Sequence, residues 1–231
     1  MVRLYLFAEG RTEQTFANAV LSPYLADHGV YLHRSVLIAH AHKRQRTHRG
    51  GGRNFGAMQK DIDRFMKQER GRDVFFTSMI DLYALHEGFP GTKEAERFRN
   101  DPYRRVQALE TSWAREAKDS RFIPYIQLHE FEAYLFVDPT VLSSFYPAQH
   151  QAVANLQSSA GAFSSPELID DGRDTAPSRR IIGELPRYEA DKVIVGVQAA
   201  ERIGLPAIRS KCPHFSEWLA RLEALDTRSG G

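Results

Sequence analysis

Three acids in this chain stand where an α/β fold keeps its chemistry: Glu9 at the end of "LYLFAEG", Asp81 within "FFTSMIDLYAL" and Glu130 in "IQLHEFEAYLF". Each closes or interrupts an apolar run, and a carboxylate in such surroundings is costly unless it is paired or used. Carboxylate oxygens gathered at one point suit magnesium or manganese, hard cations that bind few protein carboxylates and keep several waters. Without a cation they would repel one another and be partly protonated. Glu132 lies two residues beyond Glu130, and two arrangements are open. On a continuing strand the pair shares a face; on a helix it diverges by roughly 200°, so that one of the two is structural or supports the other. His129 precedes them, either as a packed histidine or in support of the acids. Glu9, taken alone, equally suits the N-terminus of a following helix through its dipole.

Two basic features face this acidic set. "HAHKRQRTHRGGGR", residues 40–53, carries Lys43, Arg44, Arg46, Arg49 and Arg53 with no acid. Bunched charge of this kind is either a solvated loop or the footprint of a phosphate backbone, and its three consecutive glycines let main-chain N–H groups approach phosphate. Lys192 interrupts the apolar "YEADKVIVGVQ". It either snorkels to solvent or reaches the acidic rim, where it would offset charge on a reacting phosphate.

The totals narrow the field. Acids number 29 and bases 31, a net charge of +2, so a nucleic-acid partner has to be argued from where charge sits. Cys212 is the single cysteine, which excludes a disulfide framework and a cysteine-rich zinc site and fits a reducing cytoplasm. No segment approaches the length of a membrane span, and the N-terminal apolar run is too short for a signal peptide. Walker A, G-x-S-x-G, H-E-x-x-H and G-x-G-x-x-G motifs are absent.

The elements that must position these residues alternate. Residues 2–8, 30–39, 73–85 and 121–128 have strand character, the third apolar enough at its centre to be buried on both faces. Helical spacing follows Thr12 and recurs over 57–70 and 102–118, with Pro102 near a helix start. Residues 86–101 form an irregular insertion. The alternation predicts an α/β fold with a mostly parallel sheet of about four strands flanked by helices. Such a sheet gathers its ligands beyond the carboxyl ends of its strands, where Glu9, Asp81 and Glu130 fall. Beyond residue 140 the chain turns helical, which divides it into an α/β unit over 1–140 and a helical extension over 141–231. Within the extension, 158–178 is a flexible connector, and 188–204 and 215–225 are the last helices.

"LYLFAEGRTEQTF", "MIDLYALHEGFPG", "IQLHEFEAYLF" and "CPHFSEWLARL" together resemble the bacterial family called domain of unknown function 4276, which is grouped with TOPRIM-like (topoisomerase–primase) folds. The resemblance runs in order through nearly the whole chain. It implies a compact sheet in which Glu9 corresponds to the TOPRIM glutamate and Asp81 to the first aspartate of a D-x-D pair that binds Mg²⁺ (or Mn²⁺). The chain departs from that pattern at the second acid, where Tyr83 stands; Glu130 or Glu132 would replace it, or the site would hold one ion or none. The same block adds Arg11, suited to a phosphate, and Glu13, which completes the acidic cluster or caps its helix. The resemblance implies a metal-dependent nuclease, or a related phosphodiester-transfer enzyme, acting on DNA or RNA in anti-phage defence. An ABC-type or AAA ATPase encoded nearby would be its partner, and homo-oligomers are compatible with it. The rival expectation is an inactive subunit of the same fold that binds an ATPase or nucleic acid.

Overall fold

A computed structural model of the chain describes residues 1–38, 55–85, 88–169 and 175–228. Its centre is a parallel sheet of β1 (Val2–Ala8), β2 (Val30–Leu37), β3 (Val74–Asp81), β4 (Phe122–Ile123) and β5 (Ile126–Gln127). The order is β2-β1-β3-β4, with β5 also paired to β3. All pairings are parallel. The alternation in β1 explains why the sheet is covered twice. Leu4, Leu6 and Ala8 enter one core, while Tyr5 and Phe7 enter another on the opposite face.

Helices α1 (Arg11–Phe16) and α2 (Ser22–Ala26) follow β1 and are joined by a π-helical turn, Ala17–Leu21. On the Tyr5 face lie α3 (Phe55–Gln68) and, after the short α4 (Thr92–Ala95), α5 (Pro102–Ala117), which contribute Met58, Ile62, Val106 and Trp113. The Asp101 carboxylate accepts the Arg104 amide at 3.1 Å and Pro102 follows it, as an N-terminus requires.

The chain beyond residue 140 covers the Leu4 face. It contains α6 (His150–Ala160), α7 (Pro177–Glu184), α8 (Tyr188–Ile203), α9 (Leu205–Lys211), α10 (Pro213–Glu223) and α11 (Leu225–Arg228). Phe215, Trp218 and Leu219 share a core with Leu4, Leu6 and Phe16, so this helical part completes the sheet's second hydrophobic face.

Three expectations about elements are corrected. The third strand stops at Asp81, where a 3₁₀ turn, Leu82–Ala84, begins. The fourth is interrupted at Pro124, which has no N–H to give; side chains bridge the break. The Ser78 hydroxyl accepts the Tyr125 amide at 2.9 Å, and the Glu110 carboxylate accepts the Ile126 amide at 2.8 Å. The connector over 158–178 begins inside α6 and buries Ser165, Glu167 and Ile169. Among the described residues, no helix is long and apolar enough to cross a membrane.

Candidate functional site

The parallel register delivers the acids to one end of the sheet. Ala8 is paired with Met79, so β1 and β3 finish side by side. The Glu9 amide donates to the Met79 carbonyl at 3.1 Å, and the Asp81 amide donates to Glu9 Oε2 at 2.8 Å. Glu13 sits in the first turn of α1 and is buried. Arg11, which opens that helix, is exposed.

The HEFE segment reaches the same place by neither of the expected routes. His129 adopts a left-handed conformation, φ 64°, uncommon for a residue with a side chain. Glu130 is extended, and Phe131–Val137 is a 3₁₀ helix. The reversal at His129 turns the chain from β5 into that helix, and Glu130 and Glu132 are both buried beside the strand ends. Ser178, at the start of α7, holds Glu130 with its amide and with its hydroxyl, the latter at 3.0 Å. Glu132 Oε1 takes two partners from successive turns of α8, the Tyr188 hydroxyl at 3.2 Å and Lys192 Nζ at 2.9 Å.

Donors run out there. Asp81 Oδ1 and Glu132 Oε2 are buried without a hydrogen-bond partner. Burial pushes the Asp81 carboxyl well above its ordinary range, and Glu9, Glu13, Glu130 and Glu132 push it further the same way. Glu13 is raised to about 7 by burial and then by Glu9 and Glu132, with Lys192 opposing. Burial and Glu132 also raise Glu130, against the pull of Ser178 and Lys192. Burial alone would lower the Lys192 ammonium pKa, but Glu132, Glu130 and Asp81 outweigh it and hold the side chain charged.

Thus Glu9, Glu13, Asp81, Glu130, Glu132 and Lys192 come together. Tyr83 stands at the edge of the group, and His129 is the buried hinge before Glu130. The donor set is all oxygen and suits a hard cation in chemistry. It is not drawn into a coordination shell: among the described residues, no three His, Cys, Asp or Glu side chains are arranged to hold a metal ion. The basic segment with Lys43, Arg44, Arg46, Arg49 and Arg53 lies outside the described residues. Two contributors have no counterpart in the sequence reading. Tyr188 was findable, since its i, i+4 spacing from Lys192 puts both on one helical face; Ser178 lies in a stretch with no pattern.

The model of the family described as "Domain of unknown function (DUF4276)" matches residues 8–223, nearly the entire chain. The chain belongs to this family. The matched span of this DUF4276 member includes every residue of the acidic site, from Glu9 through Lys192. Comparisons with curated proteins and with solved structures find no match.

Proposed function

We propose that this DUF4276 chain is a divalent-cation-dependent nuclease, or a related phosphodiester-transfer enzyme, of TOPRIM-like type. The observation that carries the reading is the pair of buried, unpartnered oxygens, Asp81 Oδ1 and Glu132 Oε2, in a cluster of mutually repelling carboxylates. A fold that buries acids without donors leaves them to a ligand of positive charge. Glu9, Asp81 and Glu130 would hold the ion, with Glu13 alongside. When bound, magnesium or manganese would neutralise phosphate charge and acidify an attacking water.

The chain's own groups then divide the work. Glu132 and Tyr188 fix the Lys192 side chain, so that its ammonium can meet a phosphate oxygen as negative charge grows there. Ser178 fixes Glu130, and the left-handed turn at His129 sets the entry angle of that segment. Arg11, exposed at the start of α1, contacts the backbone phosphate, and the bunched positive charge of residues 40–53 suits contact with the same backbone. A cytoplasmic setting, an ATPase partner, a role in phage defence and homo-oligomers follow from the family resemblance and belong to the same proposal.

The test is incubation of the full chain with single- and double-stranded DNA and RNA in Mg²⁺, Mn²⁺ or EDTA, beside Glu9→Ala and Asp81→Ala. Cleavage that needs metal and both acids supports the enzyme. A second reading, a non-catalytic subunit that binds an ATPase or nucleic acid, has its own support in the unassembled ligand geometry and in Tyr83 at the second acid position. Nucleic-acid binding that persists in EDTA and in both variants, with no cleavage in any metal, would favour it.

A further inference from the structure

Tyr83 follows the acid site by two residues and behaves unlike its neighbours. Asp81 and Leu82 are buried, yet Tyr83 is 53% exposed and is, among the described residues, one of the few large apolar side chains in water. The exposure is built in. Leu82 enters the core that contains Ile80 and Phe89, Leu85 packs against the same core, and the Leu85 amide donates to the Leu82 carbonyl at 3.4 Å. A 3₁₀ turn anchored at both ends therefore holds the ring outward, immediately past the last residue of β3.

We infer that Tyr83 is a stacking platform for a nucleobase adjacent to the phosphate in the acid site, and that the substrate is single-stranded or locally unpaired. The inference rests on the nuclease reading above and deepens it by naming the form of the substrate. Two physical points support it. An aromatic face binds any base by stacking, provided the base is not already stacked within a duplex. A ring fixed by a short anchored turn loses little freedom on binding.

The test is fluorescence anisotropy with a labelled single-stranded oligonucleotide and with the same sequence as a blunt duplex. Both are titrated in Ca²⁺ against the full-length wild type, Tyr83→Phe and Tyr83→Ala, with cleavage in Mn²⁺ run in parallel. Wild type and Tyr83→Phe should bind the single strand alike and more tightly than the duplex. Tyr83→Ala should lose roughly 5- to 150-fold on the single strand, the range expected for one stacked base, and nothing on the duplex. Equal binding of the single strand by all three proteins overturns the stacking role, and metal-dependent cleavage in that same experiment leaves the nuclease reading standing. Preference for the duplex overturns the substrate assignment. Failure of the wild type to bind or cleave either oligonucleotide overturns both.

Discussion

Two sets of buried acids in this fold share the same depth and have opposite surroundings. Glu110 and Glu167 are 8% and 0% exposed; Asp81 and Glu132 are 7% and 0%. Glu110 Oε1 accepts the Ile126 amide at 2.8 Å and faces His214 Nε2 at 3.0 Å. Glu167 accepts the Phe215 amide at 2.9 Å and the His214 amide at 3.0 Å, satisfying the N-terminus of α10. Burial pushes Glu167 up, but the two amides and His214 pull against it. Around Asp81 the next four contributions are carboxylates that push the same way. Burial therefore does not separate structural acids from functional ones. What separates them is whether the fold supplies donors: the first set closes a joint in the sheet and caps a helix, and the second keeps open oxygens for something that arrives.

The sharpest way to break this contrast is to remove one acid from the open set. Asp81→Asn should cut metal-dependent cleavage about a thousandfold, several kcal/mol of transition-state stabilisation, while making the protein more stable by about 0.5–2 kcal/mol. The pH dependence fixes the sign. The folded-state pKa of Asp81 lies above its unfolded value of roughly 3.9. The folded state therefore holds the extra proton, and wild-type stability falls as pH rises from the unfolded pKa toward the folded one. Asparagine has no such slope, so the gain in melting temperature should be larger at pH 8 than at pH 5. A variant that melts lower than wild type at pH 8 would put Asp81 with the structural acids.

The opposite manipulation concerns the closed set. Glu167→Ala strands two buried amides, each worth about 1–3 kcal/mol when left unmade. A loss of about 3 kcal/mol, or roughly 6–12 °C for a chain of this size, should appear in thermal melts, with cleavage per folded molecule retained. Loss of activity without loss of stability would erase the distinction between the two sets.

Much of the frame was legible in the residues, and the limits have physical causes. The β1 alternation, the apolar β3 and the helix start at Pro102 are local signals, and they specify a parallel sheet whose strand ends carry Glu9 and Asp81. The broken fourth strand was not legible, because Ser78 and Glu110 supply donors and acceptors from distant sequence. Nor was the conformation of HEFE. The spacing of its acids allows a strand or a helix, and the chain uses a left-handed residue followed by a 3₁₀ helix, which no hydrophobic period marks. Ser178 is a single small polar residue in the first turn of α7, and only tertiary packing brings its amide and hydroxyl to Glu130.

Lys192 stands between the two sets, since it gives one acid of the open cluster a partner. Its side chain is one-third exposed, so the Glu132 pair is screened on one side. Lys192→Met should destabilise by about 1–2 kcal/mol because it takes a hydrogen-bonding cation from the buried Glu132 side chain, and adding Glu132→Gln should restore most of that loss. A coupling energy between about 0.5 and 3 kcal/mol in a double-mutant cycle of denaturant midpoints marks direct interaction. Additive losses would mean that Glu132 is held by Tyr188, with Lys192 contributing through packing alone.

The smallest expected effect tests the closed set through pH. Burial alone would lower the His214 pKa, yet the Glu110 carboxylate at Nε2, the Glu167 charge and the Ile126 carbonyl, 3.1 Å away, raise it overall. A histidine with a raised folded-state pKa adds stability that is complete below its unfolded value of roughly 6.5 and is lost as pH rises through the folded value. The melting-temperature difference between wild type and His214→Gln should therefore be largest near pH 5.5 and should shrink toward pH 9, by an amount on the order of 1 kcal/mol. A difference independent of pH would mean that His214 is neutral throughout and serves only as a stacking partner for Tyr125, whose ring lies 5.0 Å away. In that case the Ile126 amide is the donor that matters to Glu110, and the closed set owes less to ion pairing than to backbone donors.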